Sequence, residues 1–182
     1  MNMCAPKRGD REFFMSHVEH KDSAATIQAR CAVITLSDTR NEANDASGAK
    51  IKTLLGAEHH LVNYYSIIRD EPRELGVLLE ELISSGDVDV ILTNGGTGIS
   101  RRDHTISVVE KHLTVALPGF GELFRMLSYQ QIGSSAMMSR AIGGIAKDKL
   151  VFAMPGSTAG VELAMTKLIL PEIKHLLGQM RK

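Results

Sequence analysis

Cysteine is scarce in this chain of 182 residues: Cys4 and Cys31 are the two present, and no CxxC spacing occurs. That excludes a disulfide framework and a zinc-ligand set. Cys31 lies in an apolar run, where a small buried thiol is expected. An excess of one charge is also missing, since Lys plus Arg and Asp plus Glu each total 21. A balanced chain has no global attraction to nucleic acid or to acidic membranes. The basic pair Arg101-Arg102 can still meet a phosphate locally. No apolar stretch approaches the ~18 residues that span a bilayer. The N-terminal MNMCAPKRGDREFF lacks the continuous apolar core of a secretory signal. Together these absences point to a cytoplasmic protein with neither a membrane nor a nucleic acid as partner. Several catalytic signatures are missing as well. There is no GxxxxGK[ST] phosphate loop and no Gly-x-Ser-x-Gly nucleophile elbow. Gly96-x-Gly98 is followed by Arg101 where a dinucleotide fingerprint needs glycine. The seven histidines form no ligand cluster, and His59-His60, if on a strand, face opposite sides. Met137-Met138 and the other methionines read as packing residues.

What is present is an alternation of strands and helices. Residues 1–28 are polar and of mixed charge, and read as a partly mobile arm whose Phe13-Phe14 packs on something. The folded domain is expected over residues 29–182. Cys31–Leu36 is short, apolar and β-branched, the pattern of a strand buried on both faces. Asp45 and Ser47 are cap candidates for the helix that follows, with Ile51, Leu54 and Leu55 on its apolar side. Leu61–Ile68 is a second strand. Asp70-Glu71-Pro72 opens a helix striped by Leu75, Leu78, Leu79 and Leu82. Val88–Thr93 is a third buried strand, and a helix runs from His104 to about Lys111. Beyond these, Phe120–Ser128 reads as a helix, and Arg140–Lys147 and Leu150–Phe152 as strand-like. The last element spans Thr158 to about Leu177, with Pro171 as a kink or break. The pattern predicts an α/β fold with a mostly parallel sheet and crossover helices.

In such sheets, ligands sit beyond the carboxyl ends of the strands. Ser37-Asp38, Asp70 and the loop Thr93-Asn94-Gly95-Gly96-Thr97-Gly98 all fall there. Glycines let the backbone approach a ligand closely, and consecutive N–H groups can form an anion nest. A plain tight turn is the alternative. Asp70 and Asp103 each precede a helix, so each taken singly has a cap reading. Taken together, two carboxylates beside a phosphate-type loop suit Mg²⁺, which takes one or two protein carboxylates plus phosphate oxygens and water. Arg101 and Arg102 can neutralise phosphate. Pro155-Gly156-Ser157 is either a turn with Ser157 or Thr158 as cap, or a further phosphate or pterin contact at a helix N-terminus.

These segments resemble the MoaB/Mog family of molybdenum cofactor biosynthesis proteins, and the MoaB branch most. The resemblance rests on VITLSDTR with Asp45-x-Ser47-Gly48, ILTNGGTGISRRDHT, PGFGELFRMLSYQQIGSSAMMSRA, MPGSTAGVELAMTKLILPEI and VEHK, and covers about residues 17–177. It implies a three-layer αβα sandwich assembled as a trimer or hexamer. It further implies adenylylation of molybdopterin by Mg-ATP with release of pyrophosphate. Other members insert molybdate or act as noncatalytic molybdopterin-binding or scaffold proteins, which makes other molybdenum cofactor enzymes possible partners. By motif, Asp70 and Asp103 match the family's catalytic or metal-binding acids. Ser37, Asp38, Gly95, Gly96, Thr97, Thr105, Pro155, Gly156 and Ser157 fall on its ligand-binding loops. Thr93, Asn94, Gly98 and Arg102 complete the expected substrate-binding set. Asn94 replaces a threonine common in the family and is expected in the turn.

Overall fold

The structure is a computed structural model that describes residues 26–182. Residues 1–25 of the expected arm, with Phe13-Phe14, lie outside the described residues. Six strands form one mixed sheet: β1 (Arg30–Leu36), β2 (Leu61–Ile68), β3 (Val90–Asn94), β4 (Val115–Ala116), β5 (Ile142–Ala146) and β6 (Lys149–Met154), in the order β2-β1-β3-β6-β5-β4. β1 pairs in parallel with β2 and β3, and β3 with β6. β5 pairs antiparallel with β6 and β4. The helices are α1 (Ala46–Ala57), α2 (Pro72–Ser84), α3 (Thr105–His112), α4 (Pro118–Ile132), α5 (Thr158–Ala164) and α6 (Leu170–Met180).

The apolar run of β1 explains the layering. Successive side chains leave a strand on opposite faces. Cys31 and Val33 join a core with Ile51 and Leu55 of α1, Phe124 of α4, Val161 of α5 and Ile173 of α6. Ala32, Ile34 and Leu36 join a second core with Leu75 and Leu79 of α2 and Val109 of α3. A strand apolar at every position is stable only when both faces are covered, and the result is the expected αβα sandwich. Burial pushes the Cys31 thiol up to about 12, so it stays protonated and inert.

Strand order also places the functional end. The chain leaves β1 through α1 on one face to reach β2, then returns through α2 on the other face to β3. The loops after β1 and β3 therefore lie side by side at the carboxyl ends of neighbouring strands, where ligands of such sheets bind.

Several local expectations are corrected. β3 begins at Val90, two residues later than expected, because Asp89 serves as a brace. Its N–H donates to the Arg30 carbonyl (2.7 Å), and its carboxylate accepts from the Arg30 backbone N–H (2.9 Å) and guanidinium Nε (3.0 Å). The region after α4 is a 3₁₀ segment, Gly133–Met138, followed by the β5–β6 hairpin with Lys147 at φ 55° in its turn. Met137 and Met138 are 81% and 49% exposed rather than packed. His59-His60 lie between α1 and β2, which begins at Leu61 as expected. His59 has φ 62°, and the buried His60 ring accepts the Ala29 N–H through Nδ1 (3.1 Å). The break at Pro171 is taken up by a π-helical segment, Met165–Ile169, just before it. A wide turn there accommodates a residue that has no N–H to donate.

Candidate functional site

The loops after β1, β3 and β6 interlock through backbone. Gly95 and Gly96 adopt φ 101° and 60°, which β-carbons disfavour. A β-carbon on Gly95 would strike the Leu36 carbonyl oxygen, and one on Gly156 would lie 3.0 Å from Gly95 Cα. The Gly95 N–H donates to the Met154 carbonyl (3.2 Å), and the Gly96 carbonyl accepts the Thr105 N–H (3.1 Å). The expected four-residue anion nest is therefore smaller. Gly95 has spent its donor, which leaves the N–H groups of Gly96, Thr97 and Gly98. The first residue of α3, Thr105, is bonded directly to the glycine loop at Gly96.

The two carboxylates lie along this loop. Asp70 Oδ1 would be 2.5 Å from a β-carbon on Gly96, and Thr105 Oγ1 is in contact with the same position. Asp103 Oδ2 would be 2.8 Å from a β-carbon on Gly98. Neither Asp70 nor Asp103 is a helix cap. Glu71 and His104 occupy the N-cap positions of α2 and α3, and neither makes a side-chain cap bond. Asp103 instead closes its own turn by accepting the Ser100 N–H (2.7 Å) while its N–H donates to the Ser100 carbonyl (3.0 Å). Asp38 accepts the Asp70 N–H (3.4 Å) and pairs with the Arg102 guanidinium. Burial, then the charges of Asp103 and Asp38, push the Asp70 carboxyl above its usual range, and Arg102 and His104 offset this in part. Negative charge has thus been gathered beside the glycine loop.

Among the described residues no group of three or more His, Cys, Asp or Glu is placed to hold a metal by itself. Two carboxylates are nevertheless the donor set of an ion that completes its shell with phosphate oxygens and water. The buried Thr105 Oγ1, which has no hydrogen-bond partner among the described residues, is an oxygen of the right kind beside Asp70.

The remaining expected residues divide by role. Thr93 and Asn94 are wholly buried strand residues, not part of the turn. Asn94 Nδ2 donates to Thr35 Oγ1 (2.8 Å) and ties β3 to β1. Ser37 Oγ accepts the Arg40 N–H (3.2 Å) and shapes the first loop. Ser157 caps α5, accepting the Gly160 N–H (3.2 Å). The Gly156 carbonyl accepts from Arg40 (2.9 Å) and from Ser47 Oγ (2.8 Å), so Ser47 anchors a loop and Asp45 alone caps α1. A cleft of about 540 Å³ lined by Ser37, Asp38, Arg40, Tyr65, Ser66 and Arg69 opens beside this end of the sheet.

Two features were invisible in the sequence. The buried Asp45 carboxylate accepts from Thr35 Oγ1 (2.6 Å) and the Tyr65 hydroxyl (2.9 Å) as well as the Gly48 N–H (3.0 Å). Arg140, just before β5, donates to the carbonyls of Thr97 (2.9 Å), Gly98 and Asp103 (2.9 Å). No local motif marks either network, because the partners meet only across the sheet.

Known proteins share this fold. Residues 32–175 match the family described as "probable molybdopterin binding domain". Molybdenum cofactor biosynthesis protein B of Bacillus cereus is 48% identical over 169 residues, covering 92% of this chain and 99% of that protein. The Bacillus subtilis protein of the same name is 45% identical over equal shares. A crystal structure of a molybdenum cofactor biosynthesis protein B superposes with a TM-score of 0.83 at 49% identity, covering 85% of this chain and 97% of that one. The tungsten cofactor synthesizing protein MoaB from Pyrococcus furiosus gives 0.76 at 36% identity, with 85% and 98% covered. The chain belongs to the molybdopterin-binding MoaB/Mog family.

Proposed function

We propose that this protein acts in molybdenum cofactor biosynthesis by adenylylating molybdopterin with Mg-ATP. The observation that carries the reading is the convergence of Asp70, Asp103 and the unpartnered Thr105 hydroxyl on the loop Gly96–Gly98. The phosphate monoester of molybdopterin attacks the α-phosphorus of ATP. A P–O bond forms there as the bond to the β-phosphate oxygen breaks, and pyrophosphate leaves. Such a transfer needs positioning and charge neutralisation more than a covalent protein step. Asp70 and Asp103 would hold Mg²⁺, which would supply positive charge to the phosphate oxygens. The N–H groups of Gly96, Thr97 and Gly98 orient one anion. Arg102 exchanges its exposed partner Asp38 for a phosphate oxygen. The polar cleft bounded by Arg40 and Arg69 gives room for the rest of a substrate.

The test is incubation with Mg-ATP and molybdopterin, following pyrophosphate and the adenylylated pterin. Both products are expected, and Asp70→Asn and Asp103→Asn should each abolish most turnover in a folded protein. Tight pterin binding without pyrophosphate release from the unaltered protein would replace this reading with a scaffold role.

The same reading includes self-association through α4. Leu123, Met126, Tyr129 and Ile132, followed by Met137 and Met138, are all 46–81% exposed. Exposed apolar side chains of this number on a small domain suit another copy, and closed rings are the usual outcome. Sedimentation should show a trimer or hexamer, and Tyr129→Glu should dissociate it. A monomeric unaltered protein at micromolar concentration would overturn this.

A further inference from the structure

We infer that Arg140 is a positioning residue for the anion-binding loop: its guanidinium sets the direction of the Gly98 amide donor and the stance of Asp103. The chain brings Arg140 to this place from a distant segment, between the 3₁₀ turn and β5. Its Nε–H donates to the Thr97 carbonyl at 2.9 Å. One terminal nitrogen donates to the Gly98 carbonyl and to the Asp103 carbonyl, the latter at 2.9 Å. The three carbonyls belong to both ends of the excursion that runs from Thr97 to Asp103. One planar group therefore closes the base of that excursion.

The consequence follows from peptide geometry. In a trans peptide the C=O and the following N–H point in opposite directions. Holding the Thr97 and Gly98 carbonyls against Arg140 turns the N–H groups of Gly98 and Ile99 away from it. Holding the Asp103 carbonyl fixes the backbone from which that carboxylate projects. Charge-assisted bonds are about twice as strong as neutral ones, and the fixed fork of a guanidinium reaches several carbonyls that a lysine ammonium cannot reach together. Glycines at 95, 96 and 98 make this loop costly to order, because glycine loses the most backbone freedom on folding. A cation beneath the loop offsets that cost before the ligand arrives. The same positive charge, with its Nε–H and one terminal nitrogen already committed to carbonyls, remains available electrostatically to an anion on the far side of the peptide planes.

Arg140 contacts no reacting atom in this scheme. Its functional consequence rests on the adenylylation reading, whereas its control of loop order does not. The experiment keeps the two apart. Hydrogen–deuterium exchange over residues 95–104, the binding of Mg-pyrophosphate, and turnover with Mg-ATP and molybdopterin are measured for the unaltered protein, Arg140→Ala and Arg140→Lys. In Arg140→Ala the loop amides should exchange faster by about 10-fold or more, β1 should stay protected, and pyrophosphate affinity should fall by about 10- to 100-fold, as for a misplacement on the order of an ångström. Millimolar guanidinium ion should restore pyrophosphate binding to Arg140→Ala, and Arg140→Lys should recover only part of it. Unchanged loop exchange in Arg140→Ala overturns the inference. So does faster exchange with unchanged pyrophosphate affinity, or full recovery in Arg140→Lys. Exchange and pyrophosphate binding decide the matter whether or not the unaltered protein adenylylates molybdopterin.

Discussion

Asp45→Asn tests how the first loop is held. The Asp45 residue is 2% exposed, yet its carboxylate is ionised within the fold. Burial alone would raise its proton affinity, but the Gly48 N–H, the Thr35 and Tyr65 hydroxyls and the Arg40 charge together hold it below the usual carboxylate range. One oxygen accepts from the Thr35 and Tyr65 hydroxyls, and the other from the Gly48 N–H and, at 3.4 Å, from Arg40. An asparagine cannot present its NH₂ to the second pair, because both members are obligate donors. It must present the NH₂ to the hydroxyls, whose own protons then lose their acceptor. The Gly48 and Arg40 bonds drop from charge-assisted to neutral strength at the same time. At about 1.5–3 kcal/mol for a hydrogen bond to a charged group and about 1 for a neutral one, the loss is roughly 2–4 kcal/mol. For a chain of this size that lowers Tm by about 5–15 °C. The assay is thermal unfolding followed by circular dichroism across pH. The Asp45 contribution is fully present above the unfolded carboxylate value of about 3.9 and is lost as pH falls through the lower folded value. The gap between the two proteins should therefore be widest near neutrality and close in acid. A variant within about 0.5 kcal/mol of the unaltered protein, or a gap of constant size down to low pH, would refute this account.

Gly96→Ala should lower stability by about 1–2 kcal/mol from its φ of 60° alone, and should abolish most adenylyl transfer because the new β-carbon displaces Asp70 and Thr105. Unfolding and turnover measured on one sample check it, and normal turnover would show that these groups do not act at Gly96. Burial lowers the proton affinity of His60, with Lys174 adding to the effect, so the unfolded state takes up a proton first as pH drops past about 6.5. Stability should fall from pH 7.5 to 5, as read by urea midpoints. His60→Asn, whose amide oxygen can still accept the Ala29 N–H, should flatten that slope, and an unaltered slope would assign it to other groups.

The sandwich was legible because its signals are local. Residues 31–34 of β1 and 90–92 of β3 are apolar at every position, which demands two covered faces, and the leucine stripe of α2 repeats at the helical period. The glycine loop and Asp70 were legible because they closely follow strands, and Asp103 because it ends the segment GGTGISRRD. The edges of elements were less clear where a polar residue bonds to a neighbouring strand. Asp89 delays the start of β3 to hold Arg30, and Asn94 extends that strand inward to hold Thr35. Met137 and Met138 misled because an apolar side chain does not specify whether it packs within its own chain. Asp70 and Asp103 resembled caps because a carboxylate before a helix is usually one; only the fold showed their oxygens facing glycine positions instead. Local sequence thus determined the layers, the order of elements and the loop that can meet an anion. The Gly48 cap of Asp45 was local, but its Thr35 and Tyr65 partners and the carbonyls that Arg140 holds were decided by tertiary structure alone, because a hydrogen bond between residues far apart in sequence depends on strand order, and strand order is a property of the whole sheet.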